Sequence, residues 1–227
     1  MMFLFLTLII ITILHGASRS EKPPTIYHAK TCREMFDGPF GKHRDGFYLI
    51  NPSQGDPKNS IYVYCIFETR ETCLHLKSPT SKLLFDASTV KSDVWIVKSN
   101  PRRYQFTYEV DANQLRILQQ ISKSASQTII YLCKNTIVYY DSINKNFDKS
   151  VKLLGWNNDE ITPQNLSNLQ FMSGHDGCQH KNDWWSNTRI LYSTNIPSQL
   201  PITDIAIRDV GRPGQFIDVH IGRVCFL

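Results

Sequence analysis

The sequence predicts a mixed α/β fold of the α+β kind with a large antiparallel share, and three observations carry that expectation. Five β-like runs outnumber a single helical segment, as expected where strands and helices are not in strict alternation. The chain is 227 residues long and 41% hydrophobic, enough for one large domain or two small ones with a real core, and unlike a disordered chain. Six cysteines, Cys32, Cys65, Cys73, Cys133, Cys178 and Cys225, all follow a leading apolar run.

That run comes first. Residues 2–14 are apolar, and small residues follow at Gly16, Ala17 and Ser18. This is the layout of a signal peptide, placed at residues 1–18, and it falls short of the roughly 20 apolar residues that span a bilayer. Residues 19–31 form a short leader, and residues 32–227 are read as the folded domain, with no membrane contact once the signal is removed. An even cysteine count in an exported chain argues for three disulfides, and no CxxC pair is present to suggest a cytosolic metal site. The residues alone leave the connectivity open.

From Cys32 to about Asn59 the chain is rich in Gly, Pro and Asp, which reads as turns and loops held by a disulfide. β-like runs follow at residues 61–67, 128–132, 136–140, 151–156 and 189–193. Residues 111–124 read as a helix, with Asp111 as N-cap and Leu115, Ile117, Leu118 and Ile121 sharing one face. Between the last two runs, Asn165-Leu166-Ser167 is a sequon in a polar, loop-like stretch, so Asn165 is expected to carry a glycan. No repeat or low-complexity tract appears.

The formal net charge of +5 is spread along the chain without a basic run. Nucleic acid is therefore not an expected partner, while acidic matrix glycans stay open. His175, Asp176, His180 and Asp183 gather around Cys178, but their spacing matches no common zinc site and exposed loop polarity explains them. No nucleophile elbow, HExxH, P-loop or dinucleotide motif stands in a credible context, and cysteine catalysis needs a free thiol, so no enzyme is expected. Trp184 and Trp185 are adjacent; on a strand they point to opposite faces, one into the core and one outward, with a glycan or protein contact as the alternative to packing.

The longest recognisable stretch is the C-terminus, LPITDIAIRDVGRPGQFIDVHIGRVCFL. With Thr31-Cys32-Arg33, GFYLINPSQG at 46–55, Cys65 before Glu71-Thr72-Cys73, SASQTIIYLCKN at 124–135, and Asp176-Gly177-Cys178 ahead of Trp185, it resembles the C-terminal domain of fibrillar collagens. The matches span residues 31–227. The resemblance implies a main lobe similar to the fibrinogen-like fold, a role in selecting and trimerising chains, and the pairs Cys32–Cys65, Cys73–Cys225 and Cys133–Cys178.

The departures refine these expectations. Residues near Gly38-Pro39, and Asp56, stand where many members carry cysteines that link neighbouring chains, so covalent trimerisation by that route is not expected. The short leader leaves no room for the helical stalk and triple helix that precede the domain in procollagens, and the Cys73 to Cys133 interval is short, so chain-selection segments do not map. The family's calcium loop reads Asp-Pro-Asn-Gln-Gly-Cys-x-x-Asp; here it is Asn51-Pro52-Ser53-Gln54-Gly55-Asp56-Pro57-Lys58-Asn59, with amides at both carboxylate positions. Calcium favours charged, hard oxygen ligands. Asp56 restores one charge and Lys58 opposes it, so the loop is read as a weak calcium site through Asn51, Ser53, Gln54, Asp56 and Asn59, or as a structural turn held by the Cys32–Cys65 bridge.

The expected function is that of a secreted, non-catalytic extracellular matrix structural protein that associates with itself, as a homotrimer, or with collagen and other matrix chains. The alternative is a monomeric fibrinogen-like recognition module for a glycan or a secreted protein. A partial product of a longer collagen gene is the third reading.

Overall fold

The structure is a computed structural model that describes residues 29–38, 43–77, 85–90, 93–164 and 169–227. The signal peptide, most of the leader and the Asn165 sequon lie outside these residues.

The chain opens with helix α1, Cys32–Asp37, whose N-cap Thr31 accepts a hydrogen bond from the Glu34 amide through its hydroxyl. Strand β1, Gly46–Ile50, then pairs with β2, Ile61–Ile66, from Gly46 opposite Cys65 to Ile50 opposite Ile61. Helix α1 and strand β1 both fall in the segment expected to be turns and loops. Residues 51–60, rich in Gly, Pro and Asp, form the hairpin connection, while GFYLI supplies a strand that satisfies its backbone by pairing with β2.

β3 (Glu71–Leu74), β4 (Phe85–Asp86), β5 (Val94–Trp95) and the four-residue helix α2 (Ile96–Ser99) lead to helix α3, Ala112–Ile121. The long strand β6, Ala125–Lys134, is followed by β7 (Lys152–Gly155), β8 (Glu160–Ile161), β9 (Leu169–Asp176), β10 (Ser186–Thr194), β11 (Ile202–Ile207) and β12 (Phe216–Phe226). β1, β2, β3, β12, β6, β10 and β9 lie side by side in that order, with β4 added against β12, while β5, β11, β7 and β8 form a second, smaller sheet. Every strand pair among the described residues is antiparallel. The helices are short, of 6, 4 and 10 residues, so the domain is β-rich and its helical share is smaller than the expected α+β label suggests.

β6 sits near the middle of the large sheet and alternates with a period of two. Ala125, Gln127, Ile129, Tyr131 and Cys133 turn inward, and the residues between them face outward. Ile190 and Tyr192 of β10 and Val219 of β12 join this inner face, which belongs to a single apolar cluster with Leu115 and Leu118 of α3, Leu153 of β7 and Ile205 of β11. The Tyr131 and Tyr192 hydroxyls lie 2.6 Å apart inside it, and burial raises both phenol pKa values well above their ordinary range. Gln127 ties the sheets together: its amide NH2 donates to the Tyr108 hydroxyl and the Gly222 carbonyl, and its oxygen accepts from the Ile202 amide of β11. The register of β12 against β6 slips between Ile221 and Val224, and there a Cβ on Gly222 would stand 2.5 Å from the Thr128 carbonyl oxygen, so only glycine fits the close approach.

Two other expectations are corrected. Residues 136–140 are not a strand. Asn135 takes a positive φ of 54° and ends β6, after which the Ile137 amide donates to the Asp209 carboxylate and the Tyr140 amide to Asp176, so carboxylates take the place of a ladder. Helix α3 is capped by Asp111, which accepts from the amides of Asn113 and Gln114, but its buried face is Gln114, Leu115, Leu118 and Gln119. Ile121 is 43% exposed. Gln119 replaces it because its amide reaches the Leu200 carbonyl at 2.8 Å.

Candidate recognition surface

One face of the large sheet covers the core; the other faces outward. Phe47 stands opposite Tyr64, Tyr64 opposite Cys73, Cys73 opposite Cys225, and Cys225 opposite Ser126, so these side chains share the outer face with Thr128 and Ile130 of β6. Phe47 and Tyr62 are 47% and 43% exposed, and their rings lie parallel with centroids 4.9 Å apart. Tyr64 meets Phe47 edge-on at 5.2 Å, and the Arg223 guanidinium lies 4.4 Å over the Tyr64 ring. Beside them is a cleft of about 320 Å³, lined also by His75, Leu76, Lys77, Glu109 and Ile221. Nothing in the composition of these residues marks the cleft in advance. Its parts come from β1, β2, the segment after β3, the approach to α3, and β12.

Trp184 and Trp185 do not divide between core and surface. They precede β10 and are 65% and 50% exposed, with Trp185 leaning loosely toward Phe216 at 6.4 Å. The opposite-face rule applies only inside a strand, and this pair lies before one.

The six cysteines pair as Cys32–Cys65, Cys73–Cys225 and Cys133–Cys178, and none is free. No thiol nucleophile is therefore on offer. His175, His180 and Asp183 are exposed, while the Asp176 carboxylate is taken by the Thr188 hydroxyl at 2.7 Å and the Tyr140 amide at 3.2 Å. Among the described residues no group of three or more histidine, cysteine or acidic side chains is arranged to hold a metal ion.

The loop after β1 is the calcium candidate, and its polar groups are already committed. The buried Asn51 side chain donates its amide hydrogens to the carbonyl oxygens of Gly55 and Asp56, 3.2 Å each, and accepts from the Ser53 hydroxyl at 2.8 Å. The nitrogen is identified by its partners, since carbonyl oxygens only accept. Ser53 accepts from the Gln114 amide, Gln54 takes a positive φ of 53°, Asp56 turns away to cap the Lys58 amide at 2.9 Å, and the Asn59 amide donates to the Asp56 carbonyl. Two backbone oxygens suited to a cation thus face N–H donors. As arranged, the loop does not fit a calcium ion.

A second polar cluster is structural. Asp209 is 1% exposed; it receives both guanidinium nitrogens of Arg212 at 2.7 and 2.8 Å, the Ile137 amide at 2.8 Å and the Lys149 ammonium at 3.0 Å. Burial pushes its carboxyl upward, but Arg212, Ile137 and Lys149 outweigh that and hold it below the usual carboxylate range. Among the described residues no helix is long and apolar enough to cross a membrane.

Comparison with known proteins places the chain in a family. The model of the family described as the fibrillar collagen C-terminal domain matches residues 18–226. The chain is 36% identical over 208 residues to the collagen alpha-2(I) chain of Oryctolagus cuniculus, covering 87% of this chain and 39% of that protein. It is 37% identical over 219 residues to the collagen alpha-2(I) chain of Oncorhynchus mykiss, covering 91% and 16%, and 34% identical over 208 residues to that of Rattus norvegicus, covering 87% and 15%. The chain thus spans less than half the length of these relatives. Matched over nearly all of its residues, the chain belongs to the fibrillar collagen C-terminal domain family.

Proposed function

We infer that this domain works by association and not by chemistry, as a secreted structural module of the extracellular matrix that joins copies of itself, as a homotrimer, or collagen and other matrix chains. The observation that carries the reading is the outward sheet face, where Phe47, Tyr62 and Ile130 remain exposed on a framework closed by three disulfides. Exposed apolar groups gathered on one face gain by being covered, and a partner is the usual cover. The relatives' description as collagen chains supports matrix chains as the partner class. Export through the leading apolar segment and a glycan on Asn165 belong to the same reading.

Light scattering on the mature, oxidised protein tests it. A trimer that forms at micromolar concentration, and weakens when Ile130 is changed to Glu, is the expected result; a strict monomer with and without calcium sinks the self-association. The second reading, a recognition module for a glycan or secreted protein, is favoured by the cleft beside Phe47, in which charged groups accompany the aromatic rings.

A further inference from the structure

We propose that the cleft between Phe47, Tyr62 and Arg223 binds a carboxylate-bearing sugar, such as the uronic acid unit of an unsulfated matrix glycan; this rests on the recognition reading above. Sugars present two kinds of surface at once, an apolar face of C–H groups and a rim of hydroxyls. The cleft presents the complement of both.

The stacked Phe47 and Tyr62 rings are held in place from the side, since Tyr64 meets Phe47 edge-on and His75 lies 5.1 Å from it. A platform fixed before binding loses little entropy when a ring settles on it. Around it stand polar groups, with Arg223 resting on the Tyr64 ring and His75 against Phe47. The His75 Nε2 atom is buried and has no hydrogen bond. No ion pair engages Lys77, Glu109 or Arg223 among the described residues. Burial first, and then the Arg223 charge, lower the His75 pKa, so its ring adds no charge to the cleft at physiological pH.

The charge balance selects among sugars. Lys77 and Arg223 face a single carboxylate, Glu109, which leaves the cleft with one positive charge in excess. A neutral sugar would desolvate that charge without pairing it, and a densely sulfated chain asks for more cations than two. One carboxylate matches, most naturally in a fork on the Arg223 guanidinium, while Glu109 takes hydroxyls. At about 320 Å³ the cleft lies at the small end of ligand sites, suited to a terminal or single embedded unit and not to a long chain. A purely apolar protein contact would bury Lys77, Glu109 and Arg223 unpaired, at a cost.

Calorimetry on the mature, oxidised protein with three probes tests this: an unsulfated glucuronate-containing oligosaccharide, a neutral chitin oligosaccharide and heparin. The glucuronate probe is expected to bind best. Phe47→Ala and Arg223→Gln should each weaken it by about tenfold or more, and Arg223→Lys by less, with the fold retained and the melting temperature little changed because both side chains lie on the exposed outer face. Equal binding of the neutral and acidic probes would overturn the acidic-sugar assignment while leaving the recognition reading in place. So would heparin binding that ignores Phe47→Ala. Binding of no probe, together with self-association that Phe47→Ala abolishes, would remove both and assign the cleft to protein contact.

Discussion

The side-chain amide of Asn51 donates to two carbonyl oxygens and accepts one hydroxyl, so a carboxylate in its place would reverse the polarity of two contacts. Asn51→Asp is expected to cost about 1–3 kcal/mol in the absence of metal, measured by urea unfolding. Millimolar calcium should return part of that loss, because charged oxygens raise calcium affinity, while the melting temperature of the unaltered protein should be the same in calcium and in chelator. Asp209 behaves differently, since its own charge is what the site needs. Its folded pKa lies below the unfolded value, so the stability it supplies is complete above about pH 4 and is lost as pH falls through the lower folded value. Asp209→Asn should cost about 2–4 kcal/mol at pH 7, a figure held down because Arg212 and Lys149 are about one-third exposed. The deficit should shrink below pH 4, and unfolding midpoints at pH 7 and pH 3 check both halves. Neither role shows in the local sequence: Asn51 reads as a weakened ligand, and Asp209 finds Ile137 72 positions away.

At the scale of elements, helix α3 separates what local pattern can and cannot tell. Asp111 announces the N-terminus because a cap acts on the amides two and three residues ahead. The buried face is another matter, since Gln114 and Gln119 turn inward to reach Ser53 and Leu200, 61 and 81 positions off. Leu118→Ala should therefore cost about 2–5 kcal/mol, and Ile121→Ser no more than about 0.5 kcal/mol, in chemical denaturation. β6 was legible over residues 128–132 because one inner face and one outer face impose a strict alternation. β12 was not read as a strand: the slip in register between Ile221 and Val224 breaks its period of two. Residues 136–140 show the reverse error, a β-like composition whose amides bond to Asp209 and Asp176 instead of to a strand.

For the molecule as a whole, the bridges set how far apart in sequence the fold is closed. Cys73 and Cys225 are 152 residues apart and join neighbouring strands of the large sheet, whereas the other two bridges close 45 and 33 residues. On the chain-entropy account, replacing both Cys73 and Cys225 by alanine removes about 5 kcal/mol, the largest loss of the three, comparable with the whole stability of a marginal domain. Urea unfolding of the three paired-alanine variants gives the order directly; a Cys133–Cys178 variant weaker than the Cys73–Cys225 variant would contradict it. The sequence by itself determined the inventory of this protein: an apolar leader, six cysteines in an order shared with fibrillar collagen tails, a capped helix, and strands with two distinct faces. Those are written by effects that act over a few residues or by the residue types themselves. Only the tertiary structure decided which amides are buried, that Trp184 and Trp185 both face solvent, and that Phe47, His75, Glu109 and Arg223 meet at one cleft. Such outcomes depend on partners tens to more than a hundred positions away, which no local period encodes.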